Sequence, residues 1–414
     1  MFKKKVMAFA LLFVLCLSLA SCDLLDDGNS KDKNEKINIE TDTDASTAAD
    51  VAAIWDDESV QDKIDTIDSY IEDYYYFDVD REKQEEALYD GIMEGLDDPY
   101  SVYYTPEEYI QLQEDTAGEY VGIGAVVTQD ADMVVSVVRP IPGSPAEEAG
   151  LQAEDIIVEV DGTEITDQDL TVVVKMIRGT EGTKAHLKIY RRSIQDYIEV
   201  DVERRLVENV SVYSEILDNN IGYIQVQQFY DNTADEFKAA IDEMEAQGVQ
   251  GLIIDMRDNP GGLVTAVTDM CDYLMDGGTI VTIKDKNGNV VSEYTAGESH
   301  SIDLPMVVLT NGNSASASEI FAGAMQDTGM AKLVGTTTFG KGIVQTVIPL
   351  SDGSAIKLTF AKYFTPNGND IHEQGIDPDY EVELPDGRTN AVNLDRAEDT
   401  QLQKAEEVIA EMLQ

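Results

Sequence analysis

Residues 306–324 read MVVLTNGNSASASEIFAGA, and the organisation of the chain can be worked out from this stretch. Met306 to Thr310 is a hydrophobic strand, and from Ile320 the apolar residues Ile320, Phe321 and Ala324 fall on one helical face. Between them lie only small residues and one acid, Ser314-Ala315-Ser316-Ala317-Ser318-Glu319. A serine at a strand-to-helix turn faces a site in which helix amide dipoles favour negative charge. Downstream, after the strand Leu333 to Thr336, Gly340-Lys341-Gly342 sets a lone lysine between two residues that permit close backbone approach.

The same alternation extends outward on both sides. Ile221–Phe229 and Gly251–Asp255 read as strands, and Ala234–Met244 and Leu263–Met275 as helices. Further strands follow around Thr279–Ile283 and Val290–Tyr294, and a strand-rich stretch runs to Phe364. Alternation of this kind predicts a mixed α/β core over residues 206–385 with helices packed on a sheet. In the C-terminal segment, 386–414, Gln401–Met412 reads as an amphipathic helix that packs on the body or on a partner. The helical N-terminal region, 55–115, has Val60, Ile64, Ile67 and Ile71 at three- and four-residue intervals. A second helix runs from Arg81 to Leu96 and stops at Asp97-Asp98-Pro99, and a third starts after Thr105-Pro106-Glu107. This leader and the terminal helix are the candidate elements for a homodimer.

Composition narrows the function classes. The 414 residues carry 81 acidic and 29 basic side chains, a formal charge of −52. Such a surface repels nucleic acid, so a nucleic-acid partner is not expected. Lys3-Lys4-Lys5, the apolar run Val6–Leu19 and Leu19-Ala20-Ser21-Cys22 resemble a bacterial lipoprotein signal. The resemblance implies removal of residues 1–21, lipidation of Cys22 and a formal charge of −55. The protein would then be exported and lipid-anchored at the extracytoplasmic face of the cell membrane. The polar stretch 22–54 would be a disordered tether. Only Cys271 then remains of three cysteines, so no intramolecular disulfide is expected, and its apolar helical neighbours Val264, Val267 and Leu274 make it a core residue.

From about Gly118 the pattern changes to short β segments. Gly143-Ser144-Pro145-Ala146-Glu147-Glu148-Ala149-Gly150-Leu151, followed by Asp161-Gly162, resembles a PDZ domain, here residues 116–205. The resemblance assigns Gly122-Ile123-Gly124 to the loop that receives a peptide's terminal carboxylate, a chain end bound by strand addition. Arg178, just after the second helix of this domain (Asp169–Ile177), either pairs with a carboxylate or the catalytic domain or is a solvated surface residue.

The catalytic chemistry starts from two facts. No G-x-S-x-G elbow is present, and the three histidines, His186, His300 and His372, lack a glycine-flanked setting like that of Lys341. A serine–lysine dyad is a variant of the triad logic and needs a neutral lysine, which burial promotes. Phe339 and Ile343 would supply a partly apolar slot, although an exposed loop lysine fits the segment equally well. The residues alone leave Ser314, Ser316 and Ser318 unranked.

Three blocks in order, Arg257-Asp258-Asn259-Pro260-Gly261-Gly262-Leu263, Ser314–Glu319 and Thr338-Phe339-Gly340-Lys341-Gly342-Ile343-Val344-Gln345, resemble the C-terminal processing (tail-specific) serine peptidases. The resemblance runs from about residue 60 to the end. It implies Ser316 as nucleophile, Lys341 as general base and Gln345 as the residue that orients the lysine. It also implies that Gly262 and Ala317 supply the oxyanion-hole amides. Asp255, Arg257 and Glu319 are expected to be structural, with Glu319 favoured by the helix dipole. The implied activity is an endopeptidase acting through an acyl-enzyme on protein substrates with exposed apolar C-terminal tails. No cofactor and no metal site are expected, since the carboxylate-rich clusters lack His or Cys at ligand spacing. The rivals are a catalytically silent PDZ scaffold that binds tails without cutting and a hydrolase whose base is His300 or His372.

Overall fold

The computed structural model describes residues 58–414 except 131–132, 298–301, 386–387 and 393. The signal segment, Cys22, the tether and His300 lie outside the described residues.

The chain opens with helices α1 (Glu58–Tyr74) and α2 (Arg81–Glu94), the short strand β1 (Val102–Tyr104) and helix α3 (Pro106–Ala117). Asp80 caps α2, and a Thr105/Glu108 capping box with Pro106 in the first turn starts α3, satisfying amides that a helix start leaves orphaned. Helix α1 buries none of its residues and leaves Ile67, Tyr70 and Tyr74 exposed.

The PDZ-like unit follows: β2 (Glu119–Gly122), β3 (Ala125–Gln129), β4 (Val135–Pro140), α4 (Pro145–Glu148), β5 (Ile156–Val160), β6 (Thr163–Glu164), α5 (Leu170–Ile177), β7 (Lys184–Arg191), β8 (Asp196–Glu203) and β9 (Arg205–Glu208). Its antiparallel sheet runs β3-β4-β5-β7-β8, with β6 on β5, while β2 and β9 pair as a separate ribbon where the chain enters and leaves. Its own core gathers Val135, Val137, Ile157, Leu187, Ile189 and Val173. Asp161 turns the chain out of β5 at φ 49°.

The remainder comprises β10 (Val212–Ile216), β11 (Ile221–Val226), α6 (Thr233–Gln247), β12 (Gly251–Asp255), α7 (Val264–Leu274), β13 (Gly278–Asp285), β14 (Val290–Ala296), β15 (Met306–Thr310), α8 (Ala317–Asp327), β16 (Lys332–Gly335), β17 (Ile343–Pro349), β18 (Ala355–Phe364), β19 (Tyr380–Glu381) and α9 (Thr400–Met412). The central sheet has the order β10-β11-β12-β15-β16-β19, parallel throughout except for the β10–β11 pair. Residues alternate between its two faces. Leu252, Ile254 and Val308 join Phe237, Ile241, Cys271 and Phe321 in the main core. Ile253, Val307 and Leu309 instead meet Leu402, Ala405, Val408 and Ile409 of α9. Burial on both faces explains why β12 and β15 read as continuous apolar runs. It also answers the question left open for the terminal helix, which packs on the body of its own chain. A second, antiparallel sheet holds β18 between β17 on one side and β1 and β13 on the other, with β14 beyond β13.

Candidate active site

Adjacent parallel strands deliver two loops to the same end of the central sheet. The loop after β12 is Met256–Leu263 and the loop after β15 is Asn311–Ser316, both at the carboxyl ends where open α/β sheets form their sites. Asn259 joins them. Its side chain donates to Val226 O (2.9 Å) and accepts from Gly261 N (2.9 Å), and its carbonyl accepts from Ala315 N (3.0 Å) and Ser318 Oγ (2.9 Å). Gly261 then lies flat against the serine turn: a Cβ there would stand 2.7 Å from Ser316 Cβ and 3.1 Å from Ala317 N. Gly262 has φ 146°, and a Cβ would fall 2.1 Å from Phe229 O, so neither glycine tolerates a side chain.

The three serines differ in what their surroundings ask of them. Ser314 Oγ donates to Met256 O (2.8 Å) and accepts from Asn311 N (3.0 Å). Ser318 Oγ is committed to Asn259 O. Both hydroxyls therefore stitch one loop to the other. Ser316 has the left-handed φ of 56° with ψ −115°, a conformation costly for a residue with a Cβ, at the N-cap of α8. Ala317 is the first residue of that helix, whose amide has no intrahelical acceptor.

Glu319 ties this turn to the lysine. It is fully buried. One carboxylate oxygen accepts from Thr338 Oγ1 (2.6 Å) and Gly340 N (2.7 Å). The other accepts from Ser316 N (2.9 Å) and Lys341 N (2.8 Å). Burial pushes its carboxyl above the usual glutamate value even though all four donors pull it down. The structural role expected of this helix-start acid takes a specific form: the side chain clamps serine turn and lysine loop together.

The lysine loop is wedged in from the other side. A Cβ on Gly342 would meet His372 N at 2.3 Å, and Gly340 (φ 88°) abuts the main chain of Glu373–Gly375. Ile343 is buried, but Phe339 is 57% exposed, which corrects the expectation that both would wall an apolar slot. The apolar contact comes instead from Tyr100, between α2 and β1, whose ring centroid lies 4.6 Å from Lys341 Nζ. Nothing in the sequence near residue 341 announces this contact, since the partner is some 240 residues away. Gln345, buried in β17 at a bulge, donates to Thr359 Oγ1 (3.4 Å) across the pair with β18.

Behind the glycine loop, Arg257 makes bifurcated bonds to Asp255 and bidentate ones to Asp399 at the N-cap of α9, all buried. The pairing with Asp255 follows the expected structural role, and Asp399 adds a link from the glycine loop to the terminal helix. Cys271 is buried in the core, and burial raises its thiol well above the usual value. His186 is an exposed PDZ residue beside Asp201. His372 meets the lysine loop through its main chain, and its Nδ1 is buried with no hydrogen-bond partner among the described residues. Among the described residues no cluster of His, Cys, Asp or Glu suited to a metal occurs, and no helix is long and apolar enough to cross a membrane.

In the PDZ-like unit, Gly122, Ile123 and Gly124 line a pocket with Val127, Val174 and Ile177 beside β3, whose outer edge has no strand partner among the described residues. The Ile123 side chain itself is buried in the unit's core. Arg178, at the end of α5, reaches Glu114 (3.3 Å) and Asp115 (3.6 Å) on α3 and stacks over Tyr120 (4.7 Å). It is half-buried and paired with the helical region, which excludes the solvated-surface alternative.

A family model described as peptidase family S41 matches residues 220–382, and a PDZ-domain model matches residues 136–191. The carboxy-terminal processing protease CtpA of Bacillus subtilis is 39% identical over 326 residues, covering 78% of this chain and 69% of that protein. The carboxy-terminal processing protease CtpB of the same organism is 35% identical over 333 residues, covering 80% and 69%. A solved Bacteroides fragilis protein assigned to the S41 proteases matches with a TM-score of 0.51 at 18% identity, over 82% of this chain and 93% of the other, a likeness of fold. The chain therefore belongs to peptidase family S41, as a PDZ-containing, serine-type carboxy-terminal processing endopeptidase.

Proposed function

We propose that Ser316 and Lys341 form a catalytic dyad that cuts protein substrates captured by their apolar C-terminal tails. Neutral Lys341 Nζ accepts the Ser316 hydroxyl proton as Oγ bonds to the scissile carbonyl carbon. The amides of Gly262 and Ala317 stabilise the oxyanion. The lysine then protonates the departing amine as the C–N bond breaks, and water, deprotonated by the same lysine, releases the acyl group from Ser316. Gln345 orients the lysine. The observation that carries this reading is Glu319, whose single buried carboxylate accepts from the main-chain amides of both Ser316 and Lys341.

The groove lined by Gly122, Ile123 and Gly124 takes the tail as an added strand on β3, with the terminal carboxylate on the loop amides. Cleavage before Cys22 and its lipidation would hold the enzyme at the extracytoplasmic membrane face on the 22–54 tether. The apolar residues Ile67, Tyr70 and Tyr74, exposed on α1, support a homodimer through that helix.

The test is cleavage of an unfolded protein with an apolar tail. Ser316→Ala and Lys341→Ala each lose activity by about 10⁴-fold or more, in line with the loss of a member of a nucleophile–base unit. Ser314→Ala, Ser318→Ala and His372→Ala stay well above that floor. Retained cleavage in Lys341→Ala would overturn the dyad, and loss of cleavage in a folded His372→Ala alone would favour a histidine base.

A further inference from the structure

The segment Asp98–Ser101 lies outside both catalytic loops, yet the topology brings it to them. Strands β1 and β17 flank β18 in the same direction, with Val102 opposite Lys357 and Ile343 opposite Lys362. Tyr100, just before β1, and Lys341, just before β17, therefore both lie toward the carboxyl-terminal half of β18, on its two sides. Hydrogen bonds fix the approach. Asp98 accepts from Tyr100 N (3.0 Å) and Ser101 Oγ (2.6 Å), and Ser101 Oγ accepts from Thr359 N (3.0 Å). Thr359 is also the residue that holds Gln345. One hydrogen-bonded chain thus links the segment carrying the Tyr100 ring, which lies 4.6 Å from Lys341 Nζ, to Gln345.

We propose that Tyr100 is a positioning residue for Lys341: its ring face holds the lysine ammonium and so sets the pH above which the base becomes available. The inference rests on Lys341 acting as the base. An aromatic face attracts the ammonium and has little attraction for the neutral amine, so the contact favours the resting, protonated enzyme. Among the described residues, other charged and titratable groups lie on the elements packed around the lysine. Glu319 bonds its amide, and Asp98 bonds the Tyr100 amide with Lys357 near it. Lys362 is paired with Asp370, and His372 and Glu373 approach through the main chain of the turn against Gly340 and Gly342. Tyr100 is the group among them whose ring meets Nζ face-on.

The test is the pH profile of kcat/KM for an internally quenched peptide with an apolar C-terminus. Activity requires the neutral lysine, so weakening the ring's hold on the ammonium moves the acid limb to lower pH. Tyr100→Leu, which keeps apolar bulk without a π face, moves it by about half to one pH unit. Tyr100→Phe follows the wild-type limb. Ring-fluorinated phenylalanines at position 100 keep the shape while weakening the negative face, and the limb moves down stepwise with fluorination even if the leucine variant fails to fold. An acid limb that stays at the wild-type pH in the folded leucine variant and across the fluorinated series overturns the proposal. So does a limb in Tyr100→Phe displaced as far as in the leucine variant. Lys341→Ala is the control: if it retains activity, the dyad fails, and if it is inactive while the limb does not move, only the role of Tyr100 fails.

Discussion

Replacing Glu319 with glutamine tests the clamp between serine and lysine with almost no change of shape. A carboxylate presents two acceptors, and here each oxygen takes two donors, Thr338 Oγ1 and Gly340 N on one, Ser316 N and Lys341 N on the other. Glutamine offers one acceptor and one donor. If its oxygen serves the Ser316 and Lys341 amides, its NH₂ opposes Gly340 N and the Thr338 hydroxyl, which already accepts from Ile376 N. If it is flipped, the Ser316 and Lys341 amides lose their acceptor. Either way two buried donors are stranded, at about 1–3 kcal/mol each. Relief requires the turn at Ser316 or the loop at Lys341 to move, and a displacement of about 1 Å at a reacting group costs on the order of 10²-fold in rate. Glu319→Gln is therefore expected to melt earlier than wild type and to lose about 10²-fold or more in kcat, while binding of a labelled apolar-tailed peptide to the PDZ-like unit is unchanged. Melting is followed by circular dichroism, turnover by an internally quenched peptide and binding by fluorescence anisotropy. Wild-type kcat with wild-type melting would refute the reasoning, because four buried hydrogen bonds would then position nothing.

Other consequences can be checked with single substitutions. Gly342→Ala drives a Cβ to within 2.3 Å of His372 N and 2.8 Å of Ile371 C, main-chain atoms that no rotamer change can move. It should destabilise by about 1–3 kcal/mol and reduce kcat more than KM, as read by denaturant melting and steady-state kinetics. In the PDZ-like unit, burial pushes the Asp161 carboxyl up, but bonds from His186 N (2.8 Å) and Arg204 (2.8 Å) outweigh it and hold the group below its ordinary value. A depressed value stabilises above the unfolded carboxylate range, at a pH of about 4, and that contribution fades as pH falls through the folded value. Amide exchange of β7 should therefore be faster in Asp161→Asn than in wild type at pH 7, with the difference closing on acidification.

Much of this site was legible along the chain because its parts are local. Ser316, Gly262 and Lys341 sit in short segments whose small residues record a close approach, and the strand periodicity around them announces an α/β core. Choosing among Ser314, Ser316 and Ser318 is different. Their side chains are identical: the family resemblance points to Ser316, and the structure adds that Ser314 and Ser318 bond Met256 O and Asn259 O while Ser316 stands at positive φ. Glu319 was legible as a helix-start acid but not as a clamp, since two of its donors, Gly340 N and Lys341 N, arrive from a loop more than 20 residues later. Phe339 misled because flanking a site in sequence does not put a side chain inside it.

By itself the sequence determined the strand–turn–helix units, the two-domain alternation of patterns and the family, because periodicity and glycine placement are properties of neighbouring residues. Tertiary structure decided what surrounds Ser316 and Lys341. Asp399 reaches Arg257 across 142 residues, and Tyr100, on the β1 side of β18, reaches Lys341 on its β17 side. The register of β1, β17 and β18 brings such residues together, and hydrogen bonding between strands leaves no periodic trace in the residues it joins.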